Sequence, residues 1–143
     1  MIWSETQLAY LAGIIDGEGS FYIGITNNGR KFHSRIYVVN TNEKVINWLK
    51  ETFGGLIYKR TSAKNPQWKT RYEWVLDKTA IDPICQRIIP YLIIKKKHAE
   101  IMIDFRNSFT KAKRPVITEY ILAFRRACFE EIRKLNHRTS LPV

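Results

Sequence analysis

Residues 8 to 15, Leu-Ala-Tyr-Leu-Ala-Gly-Ile-Ile, carry no charge and run directly into Asp16-Gly17-Glu18-Gly19. Ser4-Glu5-Thr6-Gln7 has the capping-box pattern just ahead of them, so the spacing predicts a helix that ends at the glycines. Leu8, Leu11, Ala12 and Ile15 make one apolar stripe at i, i+3, i+4 and i+7, while Ala9, Tyr10, Gly13 and Ile14 leave the opposite side uncharged as well. A helix apolar all round is expected to be covered on all sides. Ala9, Gly13 and Gly17 recur every four residues, a smooth stripe that another backbone can approach closely. The helix can lie inside a monomer, but with a sheet on one side of so small a chain, a second copy of the same helix is the better candidate. Leu8, Ala9, Leu11, Ala12 and Gly13 are then the expected contact residues. The apolar run is too short to span a bilayer and follows no basic stretch, so neither a membrane segment nor a signal peptide is expected.

Beyond Gly19 the pattern changes to alternation. Phe21 to Ile25, a turn at Asn27-Asn28-Gly29, and Phe32 to Val39 predict a β-hairpin. Residues 42 to 53 return to helical spacing with Val45, Ile46, Leu49 and Phe53, and Gly54-Gly55 stop them. A second hairpin follows: Leu56 to Thr61, a loop through Lys64-Asn65-Pro66, and Trp68 to Leu76. In its last strand Trp68, Thr70, Tyr72, Trp74 and Leu76 share one face, and Lys69, Arg71 and Glu73 the other. Three helices are expected after that, near 83 to 89, 91 to 109 and 118 to 136, with the basic link Thr110 to Pro115 before the last. The order α-ββ-α-ββ-α-α-α predicts an α+β fold with one four-stranded antiparallel sheet, and the length suits one domain over residues 1–143.

The chain is strongly basic: 24 Lys and Arg against 13 Asp and Glu give a formal net charge of +11 and a pI near 9.8. A polyanionic partner is the natural inference, although ribosomal and membrane-surface proteins share such a balance. Cys85 and Cys128 stand alone, with no Cys-x-x-Cys pair and no His at ligand spacing, so they are expected to be reduced and structural.

The helix end is the chemical signal. Asp16 and Glu18 sit where the helix dipole is negative, a placement that costs a few tenths of a kcal/mol to about 1 kcal/mol per acid and that a bound cation would offset. Carboxylates beside glycine carbonyls suit a hard oxygen-seeking ion such as Mg²⁺. Taken alone, Asp-Gly-Glu-Gly reads as readily as a solvated acidic turn.

Leu11-Ala12-Gly13-Ile14-Ile15-Asp16-Gly17-Glu18-Gly19 resembles the signature of the LAGLIDADG homing endonucleases, single-motif type. The flanks fit in order: Ser20-Phe21 opening a strand, Asn40-Thr41 before a helix, Phe53-Gly54-Gly55, Tyr72-Glu73-Trp74, and Pro90-Tyr91-Leu92 before a lysine run, so the resemblance spans about residues 5 to 105. It implies a site-specific double-strand DNA endonuclease of intron origin. Two motif helices pack together in a homodimer, and each delivers one acid to adjoining sites that cut the two strands of a long, roughly palindromic target, leaving short 3′ overhangs. By the same resemblance Glu18 is the metal-binding catalytic acid, Gly17 contributes its carbonyl, and Asp16 stabilises the helix pair. Lys95 and Asn40 match the family's lysine and amide that act on water and phosphate, with Thr41 as the alternative to Asn40. Two carboxylates with Mg²⁺ can hydrolyse a phosphodiester by in-line attack of water, without a nucleophilic side chain or small-molecule cofactor. Mn²⁺ and Ca²⁺ are alternative occupants, Ca²⁺ being expected not to support cleavage.

The family's sheet reads the major groove of double-stranded DNA, which makes the wet strand faces the expected contact surface: Ser20, Tyr22, Gly24 and Thr26, Asn28 in the turn, and Lys69, Arg71 and Glu73. Strand two is ambiguous, with His33, Arg35 and Tyr37 its more polar face; Tyr58, Arg60 and Ser62 are preferred on strand three. Lys111, Lys113 and Arg114 are expected at phosphates. The implied location is intracellular with host DNA, in a prokaryotic cytoplasm or an organelle. The competing reading is a non-cleaving DNA- or RNA-binding protein on the same scaffold, a maturase or regulator; retention of both Asp16 and Glu18 argues against it.

Overall fold

The computed structural model describes residues 3–61, 64–65, 69–109 and 115–137. Ser4 Oγ accepts from the Gln7 N–H at 3.1 Å and Gln7 Oε1 accepts from the Ser4 N–H at 3.0 Å, a reciprocal cap that starts α1 (Glu5–Glu18). The chain continues as β1 (Gly19–Thr26), β2 (Lys31–Asn40), α2 (Glu43–Phe53), β3 (Leu56–Arg60), β4 (Arg71–Val75), α3 (Lys78–Ile88), a 3-10 turn Ile89–Tyr91, α4 (Lys96–Asn107) and α5 (Glu119–His137). This is the expected α+β order. Asn27, Asn28 and Gly29 all take positive φ, which closes the first hairpin tightly.

The four strands form one antiparallel sheet in the order β1-β2-β4-β3. Phe21, Ile23, Ile36, Val38 and Trp74 line its inner face and are buried with the apolar stripes of the helices. Trp74 is fully covered, and its indole Nε1 donates to the Gly54 carbonyl at 2.7 Å, tying β4 to the turn that stops α2.

Several boundaries differ from the sequence reading. β4 covers Arg71–Val75 rather than the whole of 68 to 76, and Trp68 lies outside the described residues. α3 begins at Lys78, capped by the Asp77 carboxylate, and Pro83 lies inside it rather than at its start. Burial of Ile81, Ile84, Cys85 and Ile88 on one stripe outweighs the hydrogen bond that proline cannot donate. α4 begins at Lys96, not near 91, because the segment before it is held by another contact described below.

The first helix needs the main correction. Leu8, Leu11, Ala12 and Ile15 are wholly buried in the chain's own core, so Leu8, Leu11 and Ala12 do not face a partner. Sheet and helices cover that stripe, leaving Ala9, Tyr10, Gly13 and Gly17 exposed on the opposite side. Cys85 and Cys128 are free and buried, and burial pushes the Cys85 thiol up to about 12. Among the described residues no helix is long and apolar enough to cross a membrane.

Candidate active site and nucleic-acid face

The acids at the end of α1 have separate jobs. Asp16 Oδ2 accepts from the Ile93 N–H at 2.7 Å, while Oδ1 accepts from the N–H groups of Ile94 at 3.2 Å and Lys95 at 2.9 Å. The carboxylate therefore gathers the chain ahead of α4 and delays that helix. Within the chain, Asp16 thus joins the end of α1 to the segment 93–95. Asp16→Asn leaves one oxygen where two accepted three donors, and should lower unfolding stability by about 1–3 kcal/mol, measured by the denaturant midpoint.

The Lys95 ammonium donates to the carbonyls of Ile15 at 3.0 Å and Gly19 at 2.5 Å. The ammonium thus offsets part of the negative end of the helix from within the chain. Burial holds the Lys95 pKa below the usual lysine value, with the Asp16 charge pulling it back up. Lys95 is near the motif as expected, but aimed at backbone carbonyls.

Glu18 is the last residue of α1 and is exposed. The Asn40 side-chain amide donates to its carboxylate. Asn40 Oδ1 accepts from the Asn42 N–H at 2.7 Å, which orients the amide so that its NH₂ meets Glu18. Asn42 in turn caps α2 through the Lys44 N–H at 2.9 Å. Asn40 rather than Thr41 thus makes the contact, because Asn40 ends β2 in register beside the helix terminus. Sequence reasoning missed Asn42; its N-cap pattern before α2 was the available signal.

Glu18 and Asn40 lie at the rim of a groove of about 860 Å³ that runs along Ala9, Tyr10, Gly13 and Gly17 to Val45 and Trp48. Gly17 is exposed there, and its carbonyl belongs to a last helical turn with no intrahelical donor left. Both groups are hard oxygen donors of the kind Mg²⁺ or Ca²⁺ prefers. Among the described residues no group of three or more His, Cys, Asp or Glu could hold a metal ion.

The outer face of the sheet gathers the other candidates. Ser20 pairs with Tyr37, Tyr22 with Arg35, Gly24 with His33 and Thr26 with Lys31, so all of these share one face. Glu73 lies between Val39 and Tyr58, and Arg71 opposite Arg60, on that same side. This register resolves the ambiguity of strand two in favour of His33, Arg35 and Tyr37. Asn28 is at the turn, and exposed Lys69 precedes β4. Lys31 is a further exposed cation on this face that the sequence reading left out; carrying the alternation two residues back from His33 finds it. Ser62, Lys111, Lys113 and Arg114 lie outside the described residues.

With this geometry in place, comparison with known proteins is specific. The profile of the LAGLIDADG endonuclease family matches residues 11–108. None of the curated proteins matches the chain. The homing endonuclease I-CvuI, solved with its target in the presence of calcium, is similar with a TM-score of 0.69 and 18% identity, over 92% of this chain and 82% of that one. I-CvuI with DNA in the presence of magnesium, the DNA not cleaved, gives 0.59 and 17% over 90% and 96%. The archaeal intron-encoded homing endonuclease I-Vdi141I, complexed with DNA, gives 0.60 and 17% over 92% and 98%. Identities this low establish the fold alone; the profile covers most of the chain, including the part of α1 that carries Asp16 and Glu18, and by it the chain belongs to the LAGLIDADG endonuclease family.

Proposed function

We propose that residues 1–143 are one domain of a site-specific double-strand DNA endonuclease that works as a homodimer with a divalent metal. The observation that carries this reading is Glu18, exposed at the end of α1, oriented by Asn40, and opening on the same groove as the small-residue stripe. A second copy seated on that stripe brings a second Glu18 close to the first, which supplies the acid that one chain lacks. When bound, Mg²⁺ or Mn²⁺ adds Lewis acidity toward a phosphate oxygen and makes a nearby water more acidic. The protein's own part is to hold charge in place: Asn40 orients Glu18, and Asp16 with Lys95 fixes the backbone on either side of it. The basic outer face of the sheet would lie in the major groove of a roughly palindromic target, since a twofold dimer presents the same face to each half-site. Cutting near the dyad would leave short 3′ overhangs. The resemblance further suggests an intron-encoded enzyme acting inside a cell on host DNA, in a prokaryotic cytoplasm or an organelle.

The test is recovery of cut molecules from a library of randomised duplex DNA incubated with the protein and Mg²⁺, Ca²⁺ or chelator. Cutting at one sequence class with Mg²⁺ and binding without cutting in Ca²⁺ is the expected result. Sequence-specific binding with no cutting in any metal would favour the maturase or regulator reading.

The dimer has its own test. Among the described residues, no atom outside the helix's own backbone and the adjoining residues lies within 4 Å of a Cβ built at Gly13 or Gly17, so a Cβ there meets open space in the monomer. Gly13→Leu should therefore leave each subunit folded, by its circular dichroism spectrum, and shift the sedimenting species from dimer to monomer with loss of cleavage. A Gly13→Leu protein that remains dimeric and active would exclude this interface.

A further inference from the structure

On the outer face of the first hairpin, one cation lies among aromatic rings. Gly24 has no side chain, and the His33 imidazole fills that space: a Cβ at Gly24 would sit 2.3 Å from its Cε1 and Nε2. The His33 ring lies 5.7 Å from the Tyr22 ring. The Arg35 guanidinium follows, its carbon 5.3 Å from the Tyr22 centroid and 4.7 Å from that of Tyr37. The row His33, Tyr22, Arg35, Tyr37 thus holds a cation between two phenol rings. Among the described residues Arg35 makes no hydrogen bond or ion pair, and its Nε is covered and unpartnered. Arg60, also near a tyrosine ring, differs: its Nη2 lies 3.6 Å from Glu73 Oε2.

Resting on the DNA-binding reading above, we infer that Arg35 is a specificity-determining residue that reads the edge of a guanine in each half-site. The rings restrict the side chain, and burial of Nε leaves the Nη1/Nη2 end as the available planar fork. Such a fork matches the paired acceptors O6 and N7 that guanine alone presents in the major groove. Phosphate also accepts two parallel donors, but β2 is an inner strand of the sheet, over the middle of whatever groove this face covers, while phosphates line its rims. A phosphate contact would carry no sequence information, which separates the two sources by experiment.

The experiment is selection of bound molecules from a randomised duplex library in Ca²⁺, followed by sequencing and by competition binding at several salt concentrations. The wild type should select guanine at one position, mirrored in the other half-site. Arg35→Lys keeps the charge but loses the fork, and should relax that preference by about 10- to 100-fold, the range for a bidentate arginine–guanine pair, while other positions and the salt slope stay unchanged. Tyr22→Leu, which removes one wall, should weaken the same position less. A guanine preference unchanged in Arg35→Lys, or a uniform affinity loss with a flatter salt slope, overturns the inference. A wild type that binds DNA with no sequence preference, or not at all, overturns the function proposed above and this inference with it.

Discussion

Glu18→Gln should abolish cleavage of both DNA strands while leaving DNA binding intact. The substitution keeps the side chain's length and one oxygen, but removes the charge that the groove offers at the end of α1. Losing about 4 kcal/mol of transition-state charge stabilisation corresponds to roughly a thousandfold slower cutting. Affinity should survive because the proposed DNA contacts lie on the basic face of the sheet, on different elements from Glu18. Removing an anion near the scissile phosphates should even tighten binding in chelator. The measurement pairs single-turnover cleavage of the selected site with a gel-shift titration. Asp16→Asn is the contrasting variant: it should cost stability through the Ile93–Lys95 backbone, with less effect on the metal dependence of whatever fully folded protein remains. If Glu18→Gln cut at near wild-type rate, the catalytic carboxylate would have to be Asp16, and the separation of roles between the two acids would fail.

Gly55→Ala should destabilise the protein by about 3 kcal/mol or more, through two costs that act together. Gly55 has φ +97°, a conformation that costs an L-residue about 1–2 kcal/mol. Its added Cβ would also sit 2.3 Å from the Val75 carbonyl oxygen and 3.0 Å from Trp74 Nε1. Backbone at that distance cannot rotate away, so β3 must move off β4 and the fully buried Trp74 must shift. Gly54→Ala is an internal comparison, because Gly54 also has positive φ, +79°, but among the described residues no atom beyond its chain neighbours lies within 4 Å of a built Cβ. It should lose only the backbone part, about 1–3 kcal/mol. Chemical denaturation at one fixed protein concentration compares them fairly, since self-association would make apparent stability depend on concentration. Equal losses for the two variants would mean that β3 slides freely past Val75.

The order of elements was readable from local pattern, because its causes are local. The capping box at Ser4, the alternation from Phe21 to Val39, the turn at Asn27 to Gly29 and the stop at Gly54-Gly55 each act within a few residues of themselves. The motif nonamer identified the acids for the same reason. What sequence left open depended on contacts between distant segments. A helix apolar all round has no side that its own periodicity marks as inner; only packing on the sheet turned Leu8, Leu11, Ala12 and Ile15 inward and left Ala9, Gly13 and Gly17 outside. Pro83 suggested a helix start, yet the core required its stripe from Ile81 to Ile88, so the helix extended back to Asp77. Asp16 and Lys95 are 79 residues apart, and no local rule predicts that the backbone of one would satisfy the carboxylate of the other. Strand pairing similarly decided that Asn40, not Thr41, reaches Glu18, and that Arg35 lies beside Tyr22. Hydrogen bonds along a helix or around a turn are dictated by neighbours in sequence, whereas those across the molecule exist only once topology has brought their donors and acceptors together.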